Sequence, residues 1–251
     1  MGTLLLKLAG PLQSWGAESR FTERKTRHEP TKSGAIGLLA AAMGRRRTDS
    51  ISDLTSLRFG VRIDQPGHYE CDYQAAHTRK WNKESLVWEF DKSLPLSHRY
   101  YLADAVFVVG FEGDSVLLEA CEKALERPLF PLFLGRRACP PSDKVLLGFE
   151  EMSDLEQTLR NVGWQAAAWY QNKRRHERTI KLEMMLEKEA ETVVDAYSET
   201  VRDVPLSFSQ VKRDYTWRTV VHDFATVENP LYQKTQELEH DPWVALERGR
   251  V

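Results

Sequence analysis

The spacing of apolar and polar positions changes several times along the chain, and each spacing predicts an element. Residues 3–8 form a short apolar run broken once by Lys7, which predicts a first strand. In residues 30–44, PTKSGAIGLLAAAMG, the positions Ile36, Leu39, Ala40 and Met43 fall at i, i+3, i+4 and i+7, one face of a helix. Thr31 or Ser33 can cap that helix and Gly44 can end it. Residues 57–64 alternate and predict a second strand. Residues 65–97 are polar and irregular, an insertion or a long hairpin with short strands expected at 69–73 and 86–90. Residues 99–113 carry the strongest strand pattern of the chain. Ser115 is expected to cap the next helix, whose apolar side holds Val116, Leu117, Ala120, Cys121 and Ala124. Residues 129–134 read as a short buried strand.

The resulting order, β-α-β-β-α-β, predicts an α+β chain with a ferredoxin-like unit, an arrangement shared with RNA-recognition domains. Fold alone does not give function. In that topology the first and third strands are central and the fourth lies beside the first. Farther on, strands are expected at 145–149, 164–170, 179–186 and 217–227, and a helix at 153–161. The expected division is a first domain over 1–143 and a smaller β-rich module over 144–251.

Composition narrows the class. With 251 residues, 41% of them hydrophobic, the chain can bury a sizeable core, and no apolar run is long enough to span a bilayer. The first residues lack the basic start of a signal peptide, and Leu6 stands where a myristoylation signal needs Ser or Thr. Cys71, Cys121 and Cys139 are few and widely spaced, which fits a reducing cytoplasm and gives neither a disulfide framework nor zinc spacing.

The formal net charge of -2 argues against a non-specific nucleic-acid binder, yet the charge is unevenly placed. Between Arg20 and Arg47 stand eight cations, Arg20, Arg24, Lys25, Arg27, Lys32, Arg45, Arg46 and Arg47, against Glu23 and Glu29 alone. One basic segment in a near-neutral chain predicts a localised anion site.

Candidate chemistry starts from that segment. Thr31, Lys32, Ser33 and Gly34 open the first helix, where unpaired N–H groups suit a phosphate; an ordinary capped helix with a solvated lysine is the simpler reading, since such caps are commonplace. Arg20, Arg24, Lys25, Thr26 and Arg27 lie in a loop with Phe21 after Trp15, a mixture that suits phosphate contact and base stacking, or a solvated loop. In FPLFLGRRACPPS, Gly135 permits a sharp exit, Pro140 and Pro141 stiffen the far side, and Arg136 and Arg137 sit between them. A second basic run, KRRHER over 173–178, reads as a solvated turn with ion pairs or as a nucleic-acid contact.

Catalytic signals are thin. The histidines are His28, His68, His77, His98, His176, His222 and His240, with no HExxH, no GxSxG and no His/Cys pair at metal spacing. No catalytic residue, metal or cofactor is assigned. The alternative is a metal-independent endoribonuclease using His77, His98 or His176.

Four stretches together resemble one family. LLLKLAGPLQSWG, TKSGAIGLLAAAMG, RPLFPLFLGRRACPPS and VPLSFSQVKRDYTWRTVVH are similar to the CasD-type subunits of type I-E CRISPR Cascade, in the RAMP superfamily. The resemblance implies an RRM-like ferredoxin domain with a thumb-like hairpin inserted at about 65–98 and a small C-terminal β module. It implies a non-catalytic, cytoplasmic cap on the 5′ handle of crRNA. The partners it implies are the adjacent Cas-seven-type backbone subunit, the large PAM-recognising subunit and, indirectly, target DNA, with no membrane. The RNA-binding set is then Gln13, Ser14, Trp15, Arg20, Arg24, Lys25, Thr26, Thr31, Lys32, Ser33, Gly34, Gly135, Arg136 and Arg137. Trp15 is expected to stack on a base or to lie in the core, and Gln13 to read a base edge. Because the first and fourth strands run antiparallel, the 10–27 loop has to fold back for Gln13 to Trp15 to meet the arginine pair.

Overall fold

The computed structural model describes residues 1–16, 22–188 and 198–233. The elements run β1 (Gly2–Ala9), β2 (Leu12–Gln13), β3 (Glu23–Arg24), α1 (Lys32–Ala42), α2 (Ser52–Thr55), β4 (Arg58–Gln65) and β5 (His68–Gln74). They continue β6 (His77–Asn82), β7 (Val87–Ser93), β8 (Ser97–Ala103), β9 (Val106–Gly113), α3 (Ser115–Glu126), β10 (Leu146–Glu151) and α4 (Leu155–Asn161). The last are α5 (Ala168–Lys173), β11 (Thr179–Lys188), β12 (Ser198–Ser207) and β13 (Asp214–Glu228).

Seven strands form one sheet in the order β10-β1-β9-β4-β11-β13-β12, with antiparallel neighbours throughout. The alternation of β1 sorts its side chains between two cores. Leu4, Leu6 and Leu8 join Phe107, Val109 and Phe111 of β9 under α1 and α3, while Leu5 and Val108 face α4 with Leu155 and Leu159. α4 can lie flat on the sheet because Gly110 is below it; a Cβ there would overlap the Leu155 side chain. α1 is buried on more than the expected face, with Ala35, Leu38 and Ala42 enclosed as well, because α3 and β12 flank it.

Several expectations need correction. The 99–113 run is two strands, β8 and β9, separated where Asp104 adopts φ +56; a short polar side chain tolerates that left-handed turn. Asp114, not Ser115, caps α3, accepting from Leu117 N at 3.0 Å. Residues 129–134 are not a strand. Pro128 and Pro131 remove ladder donors, and Leu129 N and Phe130 N instead donate to the Ala42 and Ala41 carbonyls at the end of α1. The strand beside β1 is β10, so it lies beyond residue 143, and the C-terminal strands continue the same sheet through the β4–β11 pairing. Residues 164–170 enter α5 rather than a strand. β12 has no counterpart in the sequence reading, since Asp203, Pro205 and two register shifts break its alternation.

The insertion forms an arm. β5 and β8 pair at its base, and β6 and β7 form a separate two-stranded ribbon at its tip. Its root is clamped: Gln65 Nε2 donates to the Asp104 carbonyl and Gln13 Nε2 to the Ala105 carbonyl at 2.7 Å.

A buried ion pair ties α4 to the sheet. Arg62 forks onto Asp64 (Nε–Oδ1 2.8 Å, Nη2–Oδ2 2.9 Å), and both side chains are wholly inaccessible. The same guanidinium donates to the carbonyls of Leu159, Val162 and Gly163 at the end of α4, where helix carbonyls lack intrahelical donors. Arg62→Ala leaves Asp64 as an uncompensated buried charge, and urea unfolding should show a loss of about 3–5 kcal/mol. A loss below about 1 kcal/mol would be incompatible with this account.

Candidate nucleic-acid interface

The loop after β1 is a core element. Trp15 is fully buried, and its Nε1 donates to Gln13 Oε1 at 3.1 Å. The Gln13 amide donates to the Leu8 and Ala105 carbonyls, so no edge is left for a base. Trp15 likewise presents no face for stacking. Thr26 Oγ1 accepts from Trp15 N at 2.8 Å, and Ser14 Oγ donates to the Tyr100 carbonyl at 3.1 Å. The direct RNA contacts expected of Gln13 and Trp15 are therefore corrected: these residues shape the surface from beneath.

The head of α1 is likewise filled from within. Thr31 caps it, accepting from Gly34 N at 3.2 Å, and Ser33 Oγ donates to Thr31 Oγ1. Lys32 N donates to Asp203 Oδ2 at 2.8 Å, and Lys32 Nζ is buried against Glu187 at 2.8 Å. Burial is the largest influence on that ammonium and lowers its pKa, opposed by Glu187. Gly34 lies under the Trp15 ring. The helix start thus binds a carboxylate of its own chain, and the expectation of a phosphate seat at Thr31 to Gly34 is corrected.

The arginine pair has a different setting. Leu134 N donates to the Cys139 carbonyl at 2.7 Å and Cys139 N to the Arg136 carbonyl at 2.8 Å, closing a tight turn around Arg136 and Arg137. Ser14 N donates to the Leu134 carbonyl at 3.1 Å. Gly135 adopts φ +82, and a Cβ there would overlap the Ser14 carbonyl oxygen. The turn therefore lies directly against residues 13–15. No fold-back of the long loop is needed, because residues 128–141 cross to that end of the sheet as coil.

Around the turn gather four arginines that form no ion pair among the described residues, although Glu23 stands beside Arg24 and Asp72 opposite Arg99. Arg136 Nη2 donates to the Arg24 carbonyl at 2.8 Å, and its guanidinium lies 4.8 Å from the centroid of the Tyr101 ring. Arg24 on β3 is in register with Arg99 on β8. Arg99 Nε and Arg136 Nη1 are shielded from solvent and have no hydrogen-bond partner among the described residues. Arg24 and Arg137 are exposed, and none of the four arginines forms an ion pair there; Lys25 reaches Glu23 at 3.9 Å. Arg20 lies outside the described residues. Sequence reasoning missed Arg99, because its neighbour Arg24 is distant in sequence and meets it only through the parallel β3–β8 pairing. Guanidinium groups with open donors are suited to phosphate oxygens.

The family profile described as CRISPR-associated protein (Cas_Cas5) matches residues 3–221. This chain belongs to that CRISPR-associated family. Among its relatives is the CRISPR system Cascade subunit CasD of Escherichia coli (strain K12), 34% identical over 170 residues, which are 63% of this chain and 75% of the relative. A structure of a Cas protein matches with a TM-score of 0.65 at 34% identity, over 92% of this chain and 98% of the other. A chain of a CRISPR RNA-guided surveillance complex matches with a TM-score of 0.71 at 29% identity, over 98% of this chain and all of the other.

In this family member the three histidines considered for catalysis stand apart in sequence, His77 on β6, His98 on β8 and His176 in the loop before β11. His98 Nδ1 lies 4.0 Å from the exposed Cys71 thiol, and its ring packs edge-on to Tyr73. No cluster of three or more His, Cys, Asp or Glu side chains suited to a metal occurs among the described residues. Cys139 is buried beneath the arginine turn, and burial raises its thiol pKa; burial pushes Cys121 up to about 11.

This packing has two measurable consequences. At pH 8 a colorimetric thiol reagent should modify Cys71 quickly and leave Cys121 and Cys139 unreacted until denaturant is added; three fast thiols would contradict the burial. Gly135→Ala should lower the midpoint of thermal unfolding, because the turn must move off Ser14. An unchanged midpoint would show that the close approach is dispensable.

Proposed function

We propose that this chain is a subunit of a CRISPR surveillance complex of the Cascade type and caps the 5′ handle of crRNA there. The role is non-catalytic and cytoplasmic. Its neighbours are the Cas-seven-type backbone subunit and the large PAM-recognising subunit, with target DNA engaged indirectly. Family membership and the likeness to CasD support the setting. The order β10-β1-β9-β4 with crossovers α1 and α3 supports a ferredoxin-like unit of the RAMP type, and the arm from β5 to β8 its thumb.

One observation carries the RNA reading: a rigid turn presents Arg136 and Arg137 beside Arg24 and Arg99, and none of these four arginines forms an ion pair among the described residues. Packing these like charges together is unfavourable, and a polyphosphate relieves it. Arg24, Lys25, Arg99, Arg136 and Arg137 contact the RNA backbone. Gln13, Ser14, Trp15, Thr26 and Gly135 hold the platform, and Thr31, Lys32, Ser33 and Gly34 fix α1 behind it. Arg20 belongs to the same loop.

Filter binding of handle-bearing RNA across a salt series tests this. Arg136→Ala with Arg137→Ala should weaken binding by about tenfold and reduce the slope of log affinity against log salt by about 1.4, from about 0.7 per lost phosphate contact. Wild-type affinity and slope in the double variant would remove the turn from the site.

A further inference from the structure

The basic run at 173–178 is held as firmly as the arginine turn. α5 ends at Lys173, and the chain reverses before β11. Asn229, almost wholly buried, donates through Nδ2 to the carbonyls of Gln171 and Arg174, at 3.3 and 2.9 Å. Its backbone N–H donates to the Arg178 carbonyl at 2.9 Å, and Gln233 N to the Arg175 carbonyl at 2.8 Å. The loop is thus clamped at residues 171, 174, 175 and 178 by one strand end.

Within it, Arg174 is already engaged, forked onto Glu177 and placed over the Trp164 ring. Lys173, Arg175 and Arg178 are exposed and form no ion pair among the described residues. Trp169, one turn earlier on α5, is 57% exposed and held edge-on against Tyr170. Three cations with no ion pair among the described residues, and an aromatic face on a rigid support, differ from a solvated turn laced with ion pairs, where each cation would have its own carboxylate. An aromatic face beside cations suits a nucleic-acid strand, whose bases stack while its phosphates pair.

The placement is also specific. Ala167 N, at the start of α5, donates to Gln65 Oε1 at 3.1 Å, and Trp164 Nε1 donates to the Asp64 carbonyl at 2.9 Å. Gln65 in turn holds Asp104, whose neighbour Ala105 is held by Gln13. The loop and the Gln13 platform are therefore attached to the same turn at the root of the arm.

We infer that Lys173, Arg175 and Arg178, with Trp169, form a second nucleic-acid backbone site on the other attachment of the arm's root. The inference does not depend on the arginine turn as the handle site, since it uses none of those residues. The strand bound there is either single-stranded RNA or target DNA, which share the phosphodiester backbone.

The test uses the full chain carrying Lys173→Gln, Arg175→Gln and Arg178→Gln, with circular dichroism as a folding control. Fluorescence anisotropy is read with a labelled RNA single strand lacking any handle sequence and with a mixed-sequence DNA duplex, each across a salt series. Loss of three phosphate contacts should reduce the RNA slope by about 2, or the duplex slope by about 2.7, with at least about a tenfold loss of affinity. A change on RNA alone assigns the site to the RNA strand, and a change on the duplex alone or on both extends it to DNA. Wild-type slopes on both probes in the folded variant would overturn the inference. The Arg136 and Arg137 double variant, run in parallel, reports the other site separately.

Discussion

A carboxylate occupies the head of the first helix, and much of the molecule is arranged around it. Asp203 accepts from Lys32 N and from both Nε and Nη2 of Arg218, at 2.8, 2.6 and 2.9 Å. Glu187 takes the Lys32 ammonium and the Phe59 N–H. Four buried or half-buried charges from α1, β11, β12 and β13 therefore pair with one another, leaving Arg218 Nη1 without a partner among the described residues. The partial positive charge of the helix start is neutralised in the same place. Removing any member strands its partners in a medium that cannot solvate them. Together with the β4–β11 pairing, this joins the C-terminal strands to the first half of the chain.

The arginine turn shows how backbone geometry alone can hold two cations side by side. Gly135 allows the chain to touch Ser14, and the Leu134–Cys139 closure limits the paths of the two arginines between them. Holding the guanidinium groups in place before a ligand arrives reduces the ordering cost of binding. The Tyr101 ring beneath Arg136 adds a weak attraction that holds the guanidinium in place.

The parts legible in the sequence were those with local causes. The periodicity over 30–44 and the alternation over 57–64 locate α1 and β4 to within a few residues, because those side chains face a continuous core. The cap was narrowed to Thr31 or Ser33 by position, and the bond from Gly34 N decides for Thr31. The illegible parts depend on distant partners. Residues 129–134 look like a strand by composition, yet their prolines and the open carbonyls of α1 draw them elsewhere. Lys32 looked like an anion seat because Asp203 and Glu187, more than 150 residues later, were not visible beside it. Trp15 could be read as surface or core, and the Gln13 bond decides for core. Arg99 had no signal, since only sheet pairing brings it to Arg24.

The ribbon at the tip of the arm belongs to neither sheet. Its outward face carries the edge-to-face pair Trp81 and Trp88, with Phe90 and His77 beside it, and these aromatics are largely exposed. A lone pair of strands is at best marginally stable in water. Stability along this chain is therefore graded: the large sheet closes on its own cores, whereas the ribbon at the tip has no core beneath it and opens at a lower local cost.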